Sequence, residues 1–139
     1  MGVDSILLIE DDKINALAFK KCLERINNDA QLTLTIYETA ENALQYLRNE
    51  DNLPDIIVLD LNLPKMNGIE FLKIIKNDNV LKGIPVIVLT TSRDQEDKVN
   101  CFNLQVVGYF VKPLDYFDLI ESIFNYWTKS EFAHFALKK

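Results

Sequence analysis

Ile56-Ile57-Val58-Leu59-Asp60-Leu61-Asn62-Leu63-Pro64-Lys65-Met66-Asn67-Gly68 reads as an apolar strand that stops at a carboxylate and a loop bounded by proline and glycine. A run of this kind presents an acid at the end of a sheet. Two other strand-like runs end the same way, Ile6-Leu7-Leu8-Ile9 at Glu10-Asp11-Asp12 and Val86-Ile87-Val88-Leu89 at Thr90-Thr91-Ser92, and a fourth approaches Lys112-Pro113. Acids, hydroxyls and one ammonium are therefore expected on a single sheet edge.

Outward from that stretch the chain keeps one alternating rhythm. Short β-rich runs at Ser5 to Ile9, Leu32 to Tyr37, Asp55 to Leu59, Pro85 to Leu89 and Gln105 to Val111 are separated by longer segments with helical spacing. Ala40, Ala43, Leu44 and Leu47 follow the i, i+3, i+4, i+7 face of a helix, and Tyr116, Ile120, Ile123, Phe124 and Trp127 continue the same logic in the last one. Thr39, Ser92 and Asp115 stand where N-caps should stand, and Ser92 with Gln95 fits a capping box. Strands one, three and four are nearly continuous aliphatic runs, as burial on both faces of a parallel sheet requires. The pattern predicts an α/β domain built on a doubly wound, five-stranded parallel sheet.

Composition narrows the class. The chain has 139 residues, 48% of them hydrophobic, the size of one domain able to bury its own core. A net charge of −6, with basic residues scattered, argues against a nucleic-acid partner. No secretory start precedes the first strand, and no run approaches the roughly 18 to 20 apolar residues that span a bilayer. Cys22 and Cys101 belong to no metal-spaced or CxxC motif and read as reduced core thiols of a cytoplasmic protein. His134 reads as a surface residue.

In a doubly wound sheet the carboxyl ends of the strands share one side, and ligands bind where the strand order reverses. That geometry would put Glu10 and Asp11 beside Asp60, three carboxylates within reach of one small cation. Oxygen ligands with room for water and a phosphate suit Mg²⁺. Lys112 would bring a point charge to the same edge and Thr90 a hydroxyl. Metal, ammonium and hydroxyl together stabilise a phosphoryl group in transfer.

With these residues in order at successive strand ends, the chain resembles the receiver domain of the two-component response regulators, over about residues 5 to 127. The match rests on Glu10-Asp11, on Val58-Leu59-Asp60-Leu61-Asn62-Leu63-Pro64 with Met66-Asn67-Gly68, on Pro85 to Thr90, and on Gly108-Tyr109-Phe110-Val111-Lys112-Pro113. The resemblance implies a flavodoxin-like (βα)5 fold and a phosphoryl group taken by Asp60 from a sensor histidine kinase. It further implies Mg²⁺ held by Glu10, Asp11, Asp60 and the backbone carbonyl of Asn62, acyl phosphate bound by Thr90 and Lys112, and a switch pair, Thr90 and Tyr109. A cis bond before Pro113 is part of the family pattern. Asn67 departs from it, since many members carry Asp before the glycine.

Plainer roles stand beside these. Asp12 is expected to cap the next helix, Asp94 to Asp97 to supply an acidic first turn, and Asn67-Gly68 to make a turn. After Trp127 only Thr128 to Lys139 remain, which predicts a stand-alone receiver with a last helix continuing into a Phe132, Phe135, Ala136 stripe. The sequence is also similar to single-domain regulators paired with bacteriophytochrome-type kinases, which implies a homodimer through the fourth helix, fifth strand and fifth helix. Other readings are a relay intermediate that hands phosphate to a phosphotransfer histidine, an Mg²⁺-dependent aspartyl phosphatase, which would want an acid where Asn62 stands, and a flavin module, which would want a Ser/Thr/Gly loop where the chain has acids. A signalling phosphoacceptor, rather than an enzyme, accounts for the whole set. The downstream target has no sequence signature.

Overall fold

The structure, a computed structural model, describes residues 3–26, 32–49, 51 and 53–126. Strands β1 (Ser5–Ile9), β2 (Thr33–Tyr37), β3 (Ile56–Asp60), β4 (Val86–Thr90) and β5 (Gly108–Val111) alternate with helices α1 (Lys13–Ile26), α2 (Ala40–Asn49), α3 (Gly68–Lys76) and α4 (Gln95–Asn103). A fifth helix, α5, runs over 116–126. Among the described residues the strands form one parallel sheet in the order β2-β1-β3-β4-β5. The order reverses between β1 and β3, which makes that edge the binding crevice of a doubly wound sheet.

Alternation along the central strands divides the core. Leu7, Ile9, Ile57, Leu59, Val86 and Val88 face α2 and α3, where Ala40, Ala43, Leu44, Leu47, Phe71, Leu72 and Ile75 are buried. Ile6, Leu8, Ile56, Val58, Ile87 and Leu89 face α1 and α5, against Phe19, Leu23, Leu119, Ile120 and Ile123. Both faces are dry, so the aliphatic runs read from sequence occupy the sheet centre. Cys101 is buried, Cys22 half-buried, and both are free thiols.

The strand ends differ from the sequence expectation by small steps with clear causes. β3 and β4 run one residue further, to Asp60 and Thr90, because the ladder continues beyond them: Leu61 N donates to Leu89 O at 2.9 Å and Lys112 N to Thr90 O at 2.7 Å. β5 starts at Gly108 and not at Gln105. The preceding residues close α4 instead, with Gln105 at φ 63 and Val106 N donating to Cys101 O.

Thr39, Asp12 and Asp115 cap as expected, accepting from the amides of Asn42, of Ile14 and Asn15, and of Phe117. The Ser92–Gln95 capping box does not form. The N-cap of α4 is Asp94, whose side chain accepts from Glu96 N. Ser92 is held in the loop because its amide donates to Thr90 Oγ1 at 2.9 Å and its hydroxyl donates to Asp97 Oδ2 at 2.8 Å. Glu96 and Asp97 do supply the acidic first turn. Asn67, expected in a turn, is the N-cap of α3, in a capping box with Glu70. Trp127, His134 and the stripe Phe132, Phe135, Ala136 lie outside the described residues.

Gly68 opens α3 against the end of β3, where a Cβ would lie 2.6 Å from Leu61 Cα and 3.0 Å from Asp60 O. The obstacle is backbone, which cannot swing aside. Gly68→Ala is expected to destabilise by about 1–3 kcal/mol, seen as a lower urea midpoint with an unchanged m-value.

Candidate functional site

The candidate carboxylates, the Thr90 hydroxyl and the Lys112 ammonium stand at or just past strand ends, and Tyr109 lies within β5. Glu10 follows β1, Asp60 ends β3 and Thr90 ends β4, and all three are buried. Backbone amides fix these ends: Glu10 N donates to the Tyr37 carbonyl at 2.9 Å, and Asn62 N donates to the Asp60 side-chain Oδ1 at 2.9 Å. Carboxylate oxygens of Glu10, Asp11 and Asp60 lie within 4.8 Å of one another, with Asp11 the exposed member. Lys112, past β5 and before a cis bond to Pro113, places its Nζ 2.6 Å from Glu10 Oε1 and 3.2 Å from Asp60 Oδ2.

Lys112 supplies one positive charge to a cluster of three acids, two of them buried. Burial of such groups is costly unless they are paired and hydrogen-bonded. Burial, followed by the hydrogen-bonded Asp60 carboxyl, pushes the Glu10 carboxyl up from 4.5 to about 7 against the opposing pull of Lys112. Burial also works against the Lys112 ammonium, but Glu10 and Asp60 outweigh it and leave its pKa above the ordinary value. The site is short of positive charge, and its donors are hard oxygens. That donor set fits a divalent cation with near-octahedral oxygen preference.

The Thr90 hydroxyl donates to Asn62 Oδ1 at 3.2 Å and accepts from Ser92 N. Asn62 Oδ1 also accepts from Thr91 N at 3.0 Å and Thr91 Oγ1 at 3.1 Å. One amide oxygen thus ties the loop after β3 to the loop after β4. Thr91 carried no signal in the sequence as a partner of Asn62, because only the fold brings the loops together. Tyr109 is half-buried, its ring 6.2 Å from Phe102, and its hydroxyl is buried without a hydrogen-bond partner. Burial, with Cys101, Asp97 and Asp94 nearby, raises its pKa.

The sequence model of the response regulator receiver domain matches residues 6–124. Probable methanogenesis regulatory protein FilR2 of Methanothrix harundinacea is 36% identical over 88% of this chain and 82% of its own length. Response regulator Rcp1 of Synechocystis is 34% identical over 90% of this chain and 89% of its own. Among solved structures, the phosphorylated cyanobacterial phytochrome response regulator RcpA superposes with a TM-score of 0.81 at 33% identity, covering 92% of this chain and 96% of its own. The Mn(2+)-bound form of response regulator Rcp1 superposes with a TM-score of 0.75 at 33% identity, covering 88% and 90%. The chain belongs to the response regulator receiver domain family. Its fold is the flavodoxin-like receiver fold of those neighbours, and its acidic cluster is one that could hold a metal ion. No helix among the described residues is long and apolar enough to cross a membrane.

The raised Glu10 carboxyl has a consequence for stability. Between pH 4.5 and about 7 the folded chain keeps a proton on Glu10 that the unfolded chain releases. Stability contributed by that proton is full below the lower value and is lost as pH rises through the upper one, by roughly 3 kcal/mol. In metal-free buffer, urea unfolding of wild type and Glu10→Gln at about pH 5 and about pH 8 should show the wild type losing that much relative to the variant.

Proposed function

We propose that this chain is a receiver that accepts a phosphoryl group on Asp60 from the phosphohistidine of a sensor histidine kinase, in a Mg²⁺-dependent reaction, and then changes its partner-binding surface. The observation that carries this reading is the placement of Asp60: a buried carboxylate, one oxygen held by Asn62 N and the other by Lys112, within a three-acid cluster. Glu10, Asp11, Asp60 and the backbone carbonyl of Asn62 would hold the ion. When bound, Mg²⁺ offsets charge on the phosphoryl oxygens.

An oxygen of Asp60 attacks phosphorus in line; the new O–P bond forms as the P–N bond to the donor imidazole breaks. The imidazole keeps the electron pair and is neutralised by a proton. Lys112 then turns from the carboxylates toward a phosphoryl oxygen, and the Thr90 hydroxyl exchanges Asn62 Oδ1 for the same group. Thr90's shift and the half-buried Tyr109 side chain bias the face formed by α4, β5 and α5 between two populations. Val99, Phe102 and Val107 are exposed there, which suits a target protein or a second copy of the chain. The chain's own chemistry is gain and hydrolytic loss of this phosphoryl group; it turns over no other substrate.

Residues 1–139 work as one receiver unit in the cytoplasm. Nucleic acid is no partner. The likeness to phytochrome response regulators supports a bacteriophytochrome-type kinase as donor. Ile14 and Leu17 are exposed on α1, directly after the acidic cluster, and offer that donor an apolar foothold at the edge of the site.

Incubated with acetyl phosphate and Mg²⁺, the wild type should gain the mass of one phosphoryl group and Asp60→Asn should gain none. EDTA should abolish the gain. Persistent labelling of the Asn variant would reject Asp60 as acceptor. Ile14→Asp should leave labelling by acetyl phosphate unchanged while slowing transfer from the kinase about tenfold, the scale of a truncated apolar anchor at a small interface.

A further inference from the structure

Outside the cluster at the strand ends, a half-buried carboxylate stands unexplained. Glu41, in the first turn of α2, turns one oxygen to the backbone amide of Met66, with Oε2 accepting at 3.3 Å. Its other oxygen, Oε1, is buried without a hydrogen-bond partner. Capping does not account for this arrangement, since Thr39 already accepts from Asn42 N at the start of α2. An acid in that turn would serve the helix dipole equally well facing water. A dry, unpaired carboxylate oxygen is a cost the fold tolerates where the group does something else.

What Glu41 holds is the loop between β3 and α3. Its other fixings are two local bonds, Gly68 N donating to Leu61 O and Asn67 capping α3, and the tie of Asn62 to Thr90 and Thr91 at the far end of the loop, four residues before Met66. Lys65, just before the anchored amide, has φ 60, a left-handed backbone that a lysine adopts only when its surroundings enforce it. The same loop carries Asn62, whose amide holds Asp60 Oδ1 and whose side chain collects Thr90 and Thr91.

We propose that Glu41 is a positioning residue for the cation site: by gripping Met66 N from α2 it fixes the β3–α3 loop so that Asn62 and Asp60 present their oxygens together. The inference rests on the metal-dependent reading above and adds a residue outside the cluster to it. Partners behind ligating groups typically matter about tenfold or more in metal affinity.

The test is Mg²⁺ affinity by isothermal titration, alongside hydrogen exchange of the Met66 amide, in wild type, Glu41→Ala and Glu41→Gln. Glu41→Ala should weaken Mg²⁺ binding about tenfold and speed Met66 exchange. Glu41→Gln keeps a side-chain oxygen acceptor and should restore both to near wild type. A purely structural role would lower thermal stability in the Ala variant and leave Mg²⁺ affinity intact, which would overturn the proposal. If Glu41→Ala does not fold, Glu41→Asp, one methylene too short to reach Met66 N, takes its place with the same expected loss, and wild-type affinity there counts against the proposal. Failure of the wild type itself to bind Mg²⁺ would sink the metal-dependent reading, and this inference with it.

Discussion

Three carboxylates crowded at the carboxyl edge of a parallel sheet are tolerable only with positive charge among them, and Lys112 provides it. Its ammonium bridges Glu10 and Asp60 at 2.6 and 3.2 Å, joining β1, β3 and the end of β5 across the crevice. One ammonium does not neutralise three acids. Burial, with Asp60 beside it, leaves Glu10 hard to ionise, and the residual negative charge fits the cluster to a cation. The charge imbalance that costs stability is thus the same feature that fits the cluster to a divalent cation.

A second tie acts on the protein in its unmodified state. Asn62 Oδ1 accepts from Thr90, from Thr91 N and from Thr91 Oγ1, so the hydroxyl available for an anion is already engaged. A phosphoryl group on Asp60 would compete for that hydroxyl at short range. Tyr109 sits one strand away with a buried hydroxyl and no partner, a group that gains by finding one. Two polar side chains on neighbouring strands thus differ in hydrogen bonding, one fully engaged and one without a partner.

Much of this was legible in the residues. The aliphatic runs of β1, β3 and β4 announced strands buried on both faces, and the stripe Ala40, Ala43, Leu44, Leu47 announced a helix and its inner face. Asp60, Glu10 and Thr90 could be placed on one edge because parallel crossovers leave no other arrangement. Boundaries were less legible. Ser92 has the composition of a helix cap, but hydrogen bonds to Thr90 and Asp97 hold it in the loop and leave the cap to Asp94. Asn67-Gly68 reads as a turn, and the turn is also the start of α3. Glu41 gave no signal, since an acid in a first helical turn is commonplace and its partner is a backbone amide remote in sequence.

By itself, then, the order of residues determined the sheet, its buried strands and the side on which acids, hydroxyl and ammonium gather. Those properties follow from hydrophobic periodicity and from the handedness of the chain, both local or nearly so. Only the folded structure decided which atoms meet: that Lys112 lies between Glu10 and Asp60, that Asn62 binds Thr90 and Thr91, and that Glu41 reaches Met66. Hydrogen bonds depend on tenths of an ångström, and separations that fine are set by strand register and loop closure among residues distant along the chain.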